Sequence, residues 1–272
     1  MQEIVDDFSL STLLRAMETN VQEAWVCLGR GLGAEIHNEP ELLWFLSGIP
    51  FHLANGIVRA HFSPDSEEEI LNERLKQLTS YGVPMAWLIG PSTRPSDLGS
   101  YLERHGWSPD DEAPGMALDL HRLDEHLSLP PRLIIEHVND EEMLKTWLRV
   151  MVVGSELPEE GLALLLDVVT RCGFKHDTAV HYYLGMLDGR PVATSLLYTG
   201  GGVAGIYNVA TVPEARRQGI GSALTLAPLL DARAWGYRIG ILQSTAMGLN
   251  LYRRLGFKEY CTFYAYFWSG EQ

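Results

Sequence analysis

Thr211-Val212-Pro213-Glu214-Ala215-Arg216-Arg217-Gln218-Gly219-Ile220-Gly221-Ser222-Ala223-Leu224 runs from a β-branched strand end, through a glycine-marked turn, into a helix. Glycines at 219 and 221 let a backbone come close to an anion, and the first amides of the helix that follows have no partners inside it. Together with the positive end of the helix dipole, such amides suit phosphate oxygens. Spacing excludes two other phosphate loops. A mononucleotide loop needs GxxxxGK[ST], and no Lys follows Gly221; a dinucleotide loop needs a third glycine, and position 224 is Leu.

What remains, Arg216-Arg217-Gln218-Gly219-Ile220-Gly221 after a strand ending Val212-Pro213, resembles the coenzyme A loop of the GNAT acetyltransferase superfamily. Downstream, Ala246-Met247-Gly248-Leu249-Asn250-Leu251-Tyr252-Arg253-Arg254-Leu255-Gly256-Phe257 resembles that superfamily's second signature, the LYxRLGF helix end. Two independent motifs in the right order and separation carry the resemblance. It implies an α/β (α+β) fold, a mixed and mostly antiparallel central sheet flanked by helices.

The segments between the motifs suit that arrangement. Arg132 to Val138 reads as a first strand after Pro130-Pro131, Asn139 or Asp140 as the cap of a helix to about Val153, and Glu159 to Cys172 as a second helix. His181–Leu187 and Pro191–Tyr198 read as strands joined by Asp188-Gly189, a hairpin turn whose two central residues need positive φ. Strand Val203–Val212, helix Gly219–Trp235, strand Arg238–Gln243, helix Ala246–Leu255 and strand Phe257–Trp268 complete the order.

The N-terminal half echoes part of this. Asn55–Phe62 resembles the fourth strand, Ser66-Glu67-Glu68-Glu69 is a capping box opening a helix, Pro84–Ile89 resembles the fifth strand, and Asp97–Trp107 echoes the second signature. The expected architecture is a tandem GNAT, with a degenerate copy over residues 1–128 and an acyl-coenzyme A-binding domain over 129–272. Where the first copy should carry its phosphate loop it has Ser63-Pro64-Asp65-Ser66-Glu67-Glu68-Glu69, without paired glycines and rich in carboxylates. Carboxylates repel a pyrophosphate, so the first copy is not expected to bind coenzyme A there; a structural or acceptor-site role is left to it.

Composition narrows the partners. A chain of 272 residues, 46% hydrophobic, suffices for two ordinary domains. It has no apolar run of membrane-spanning length and an acidic start, which leads to the expectation of a soluble cytoplasmic protein without a membrane partner. The net charge of -14 speaks against nucleic acid. From Gly201 to Gln272 seven basic residues face four acidic ones, a local +3 that leaves -17 elsewhere and suits an anionic cofactor. Cys27, Cys172 and Cys261 are widely spaced and read as small apolar residues; no ligand pattern for a metal is present. Oligomeric state is open, and a homodimer is allowed.

The resemblance also assigns roles. The backbone of Arg217, Gln218, Gly219, Ile220, Gly221 and Ser222 anchors the pyrophosphate of acetyl-coenzyme A, with the Ser222 hydroxyl as an added donor. Main-chain groups of Val209, Ala210, Thr211 and Val212, on a strand splayed by a bulge, pair with the pantetheine arm, and one amide there polarises the thioester carbonyl. Tyr252 stands where the family has the phenol that protonates the leaving thiolate. Thr245 stands where many members have an asparagine. The fourth and fifth strands contain no glutamate, so the amine's proton is left to ordered water, Tyr207, Glu156 or Glu160. Trp25, Trp44, Trp87 and Trp107 read as core, with an acceptor pocket as the alternative. The functional expectation is an acetyl-coenzyme A-dependent N-acyltransferase acting on a primary amine of a small molecule or peptide by direct transfer; the alternative is a non-catalytic acyl-coenzyme A sensor or scaffold. The acceptor itself cannot be read from these residues.

Overall fold

The computed structural model describes residues 3–63, 67–110, 112–124, 130–157, 162–163, 165–166 and 179–270. Helix α1 (Leu10–Gly31) is followed by strands β1 (Glu35–Asn38), β2 (Leu42–Leu46) and β3 (Asn55–Ala60), helix α2 (Glu67–Thr79), strand β4 (Met85–Ile89), helix α3 (Leu98–Arg104), and strands β5 (Ser108–Pro109) and β6 (Ala113–Asp119). Then come β7 (Leu133–His137), α4 (Glu141–Gly154), β8 (Val180–Leu187), β9 (Arg190–Gly200), β10 (Val203–Thr211), α5 (Ile220–Ala234), β11 (Ile239–Gln243), α6 (Leu249–Arg254) and β12 (Lys258–Trp268). The expected helix Glu159–Cys172 lies largely outside the described residues.

Local sequence explains most of these elements. The Asp140 carboxylate accepts from the Met143 amide at 2.8 Å and so caps α4, deciding between the two candidate caps. At the β8–β9 hairpin both Asp188 and Gly189 have positive φ, as a primed turn requires. Helix α1 was not expected, although Leu10, Leu13, Leu14, Met17, Val21 and Trp25 recur at helical spacing.

The chain divides into two compact units: Met1–Asn20 with Gly115–Tyr260, and Val21–Pro114 with Cys261–Gln272. This corrects the expectation of consecutive halves, 1–128 and 129–272. Strand β6 pairs antiparallel with β11, Gly115 opposite Gln243 and Asp119 opposite Ile239, so it belongs with the C-terminal elements. Strand β12 pairs with β4, Trp268 opposite Met85 and Tyr264 opposite Ile89, so the end of the sequence completes the unit built from its first half. Alternation of apolar residues marks a strand's faces but not the edge it will join.

In the first unit the strand order is β6-β11-β10-β9-β8-β7. Its core gathers Trp147 and Leu148 of α4, Tyr183 and Leu184 of β8, Ala204 and Ile206 of β10, and Ala223, Leu224 and Leu229 of α5. The Trp147 indole donates to the carbonyls of Tyr183 and Ser195 at 3.1 and 3.2 Å, pinning α4 across the β8–β9 ladder. Asn20, fully buried, donates to the carbonyls of Gly200, Tyr198 and Val203 and accepts from the Tyr207 hydroxyl, which ties the N-terminal segment to the β9–β10 hairpin.

In the second unit the order is β1-β2-β3-β4-β12, with β5 also on β12. Trp44, Trp87 and Trp107 are core residues there, at 2%, 0% and 2% exposure. Trp87 and Trp107 meet edge to face at 5.6 Å. Among the described residues no helix is long and apolar enough to cross a membrane.

Candidate functional site

Strand β10 runs parallel to β11 only through Ala204, Gly205 and Ile206, opposite Gly240, Ile241 and Leu242. Beyond that point its ladder with β9 shifts between Tyr207 and Ala210, a one-residue bulge. Asn208 sits in the bulge with φ 50°, and its carbonyl accepts from the Thr194 hydroxyl at 2.9 Å. A bulge bends the strand, so β10 and β11 part and leave an open gap.

Ladder alternation says which backbone groups face that gap. The Val212 amide donates to the Val192 carbonyl at 2.9 Å, which makes Ala210 and Val212 the residues turned towards β9. Thr211, and Val209 two residues earlier, therefore turn their amides and carbonyls the other way. The end of β10 is also locked in place. Gly154 at the end of α4 lies so close that an added Cβ would sit 3.0 Å from the Thr211 nitrogen. Arg216 donates to the carbonyls of Thr211 and Gly154, both at 3.0 Å, and to the Glu156 carboxylate at 2.6 Å. Nothing in the local sequence distinguished Arg216, which buttresses the site, from exposed Arg217 beside it.

The loop then turns through Arg217 (φ 61°) and Gly219 (φ 80°) into α5. Gly219 is the N-cap; it has no side chain to cap with, and the first bond inside the helix runs from the Ala223 amide to the Gly219 carbonyl at 3.1 Å. The amides of Ile220, Gly221 and Ser222 thus head the helix without an intrahelical acceptor, beside exposed Gln218. Gly221 lies where the elements converge: a Cβ there would meet Leu251 Cδ1 of α6 at 3.2 Å and Thr211 Oγ1 of β10 at 4.0 Å. The expected anchor residues therefore lie beside Leu251 of the helix that carries Tyr252.

Tyr252 is 9% exposed, with its ring edge-on to Phe257 at 6.0 Å. Burial pushes its phenol up to about 12, so at neutral pH it is a proton donor. Two of the base candidates do not suit that part. The Tyr207 hydroxyl already donates to Asn20 at 2.6 Å, and burial holds its pKa well above the ordinary value, so it keeps its proton. The Glu156 carboxylate is engaged by Arg216. Glu160 lies outside the described residues. Thr245 makes a turn, its carbonyl accepting from the amides of Gly248 and Leu249 at 3.1 and 3.2 Å.

The second unit repeats the parted strands and fills the space itself. Strands β3 and β4 pair in parallel through Gly56 and Ile57 only, and β3 bulges at Val58, between the pairs Trp44–Ile57 and Leu43–Arg59. The chain leaving β4 folds back against β3: the Arg94 amide donates to the Ala60 carbonyl at 3.0 Å and the Phe62 amide donates to the Arg94 carbonyl at 3.3 Å. Thr93, 7% exposed, hooks the turn through its hydroxyl, which accepts from the Gly90 amide at 3.0 Å. Arg94 in turn donates to the carbonyls of Pro91 and Thr93.

Residues 178–259 match the family described as the acetyltransferase (GNAT) domain. Solved structures share the fold across most of the chain. A GCN5-related N-acetyltransferase from Kribbella flavida is 18% identical over 90% of this chain and 94% of its own, with a TM-score of 0.67. A GCN5-related N-acetyltransferase from Sphaerobacter thermophilus is 16% identical over 88% of this chain and 76% of its own, with a TM-score of 0.59. A tandem GNAT protein from the clavulanic acid biosynthesis pathway is 16% identical over 85% of this chain and 79% of its own, with a TM-score of 0.55. No curated protein matches by sequence. The match to the GNAT family thus covers residues 178–259, and the fold of the chain is shared with GCN5-related N-acetyltransferases.

Proposed function

We propose that the first unit is an N-acyltransferase that uses acetyl-coenzyme A and acetylates a primary amine of a small molecule or peptide by direct transfer. The observation that carries this reading is the convergence at Gly221 of three things: an uncapped helix start, the gap-facing end of β10, and the helix bearing Tyr252. The residues present fit an acyl-coenzyme A. The amides of Ile220, Gly221 and Ser222 suit pyrophosphate oxygens. The amides and carbonyls of Val209 and Thr211 suit an amide-bearing arm, except the Thr211 carbonyl, which Arg216 occupies.

The second unit supplies an internal precedent for that pairing. Ala60 and Phe62 lie three and five residues beyond Ile57, the last residue of the β3–β4 parallel pair, and they bond an extended backbone. Val209 and Thr211 lie three and five residues beyond Ile206, the last residue of the corresponding β10–β11 pair.

When bound, the cosubstrate supplies an activated thioester whose C–S bond is replaced by a C–N bond to the acceptor. Tyr252, held protonated by burial, donates its proton to the departing sulfur and is reprotonated from solvent. One amide of this stretch, that of Val209 or Thr211, would donate to the thioester oxygen, a contribution of about 3 to 4 kcal/mol where such a donor is lost. With Tyr207 and Glu156 engaged elsewhere, the amine's proton is left to ordered water or to Glu160. The test is thiol release from acetyl-coenzyme A with a pooled set of primary amines. Wild type should turn over and Tyr252→Phe should lose about 10²-fold or more in kcat at unchanged cosubstrate affinity. Tight uptake with no release for any amine overturns the reading.

A further inference from the structure

The gap between β10 and β11 has a closed end. Its last parallel pair is Ile206 with Leu242, after which the strands part. A Cβ on Gly240 would meet Leu229 of α5 at 2.8 Å, so Gly240, Leu242 two residues on and Ile206 opposite it face that helix. Ile206 and Leu242 are core residues, 3% and 1% exposed. The other face carries Gly205, Tyr207 and Ile241. Val203 to Ile206 are buried and Tyr207 is only partly so. Its ring leans back over Gly205, where a Cβ would lie 2.7 Å from Tyr207 Cε2. The ring is fixed at both ends, at one by the strand and at the other by its hydroxyl, which donates to Asn20 Oδ1 at 2.6 Å. Asn20 cannot yield easily, since it donates to the carbonyls of Gly200, Tyr198 and Val203 at 2.8, 3.2 and 3.3 Å.

We infer that Tyr207 sets the length of the acyl group, closing the inner end of the gap to chains longer than a short acyl such as acetyl. This rests on the reading of the gap as the seat of an acyl-coenzyme A. With the pyrophosphate at the start of α5, the arm passes Thr211 and then Val209, so the acyl group at its far end points to Tyr207 and the last strand pair. Ahead of it β10 and β11 are bonded to one another. On one face Ile206 and Leu242 are packed in the core, and on the other stands the anchored ring. A longer chain has to displace that ring and break its bond to Asn20. Without the ring, Gly205 would leave a bare slot along the strand, with Ile241 opposite as an apolar wall. Such a slot rewards apolar carbon, about fourfold in affinity for each methylene buried.

Binding needs no acceptor amine, so calorimetric uptake of acetyl-, butanoyl- and hexanoyl-coenzyme A decides the matter. The proteins are wild type, Tyr207→Phe, Tyr207→Leu and Tyr207→Ala, with urea midpoints on the same preparations as the check on folding. Wild type should hold acetyl-coenzyme A about tenfold or more tighter than hexanoyl-coenzyme A, because a filled site resists added methylenes. Tyr207→Phe keeps the ring and should keep that order. Tyr207→Ala should reverse it, gaining about fourfold for each methylene the slot takes up, with acetyl-coenzyme A within about threefold of its wild-type affinity. Tyr207→Leu should fall between the two, and it carries the test if the alanine variant does not fold. If wild type takes up hexanoyl- as tightly as acetyl-coenzyme A, or if both truncations keep the wild-type order, Tyr207 does not close the gap and the cosubstrate reading stands without it. If wild type takes up none of the three thioesters, that reading falls and takes this inference with it.

Discussion

Replacing Arg216 by Ala should loosen the mouth of the site far more than the protein as a whole. Its guanidinium donates to the carbonyls of Thr211 and Gly154, each at 3.0 Å, and to Glu156 at 2.6 Å. Hydrogen bonds from a charged donor contribute about 1.5 to 3 kcal/mol each, and with the Arg216 side chain 26% exposed the lower end applies, about 3 kcal/mol for the two carbonyls. The Glu156 side chain is 62% exposed, so its ion pair adds less than about 1 kcal/mol. Because all three partners lie at the end of α4 or of β10, the loss is local. Hydrogen exchange of the amides from Ala210 to Val212 and from Met151 to Ser155 should quicken about a hundredfold, since 1.36 kcal/mol is a factor of ten, while core amides of β9 keep their rates. Acetyl-coenzyme A affinity should fall in parallel. Arg216→Lys should recover only part, because an ammonium cannot span three acceptors as a planar fork does. Glu156→Ala serves as the comparison: if Arg216→Ala quickens exchange at those amides no more than Glu156→Ala does, the carbonyl bonds do not hold the site and the reasoning fails.

Two further outcomes follow from the geometry. Calorimetry should find one acetyl-coenzyme A per chain, because Arg94 already bonds the parted end of β3, and Gly219→Val, which forces a β-branched residue to φ 80°, should remove that uptake; a stoichiometry near two would refute the assignment. Alkaline stability should decline from about pH 10 upwards. Burial raises Tyr183, Tyr207 and Tyr252, with the Asp231 carboxylate adding to the rise at Tyr183. The unfolded phenols release their protons near pH 10 while the folded ones retain them, so the stabilisation is complete below pH 10 and is lost as pH climbs towards the folded values, by at most about 1.4 kcal/mol per pH unit per tyrosine. Urea midpoints at pH 8.5 and 11 test this, with Tyr183→Phe expected to flatten the slope; equal midpoints in wild type would contradict it.

What could be read in the chain was whatever is encoded over a dozen consecutive residues. Gly219 and Gly221 mark a helix start without a capping side chain, Asp188-Gly189 marks a hairpin, and Tyr252 lies on a short helix that does reach Gly221. What stayed hidden depends on distant partners. The bond from buried Asn20 to Gly200 spans most of the chain, and nothing near position 20 announces it. Arg216 and Arg217 are alike in sequence, yet one bonds two carbonyls and the other is exposed, because only the fold brings Gly154 alongside. The exchange of β6 and β12 was invisible for the same reason, since register is decided by the strand that happens to be adjacent. Ser63 to Glu69 could be read as lacking paired glycines; that the Arg94 backbone should bond Ala60 and Phe62 at the end of β3 could not be read.

The pairing of β12 with β4 has a consequence for biogenesis. A ribosome releases Met85–Ile89 long before it reaches Tyr264–Trp268, a delay on the order of 10 to 40 s at ordinary elongation rates. Through that interval β4 waits with one flank bare, a surface that stray strands can invade. Folding during synthesis is thereby made to run against the order of translation, with the earlier-made strand completed by the later one.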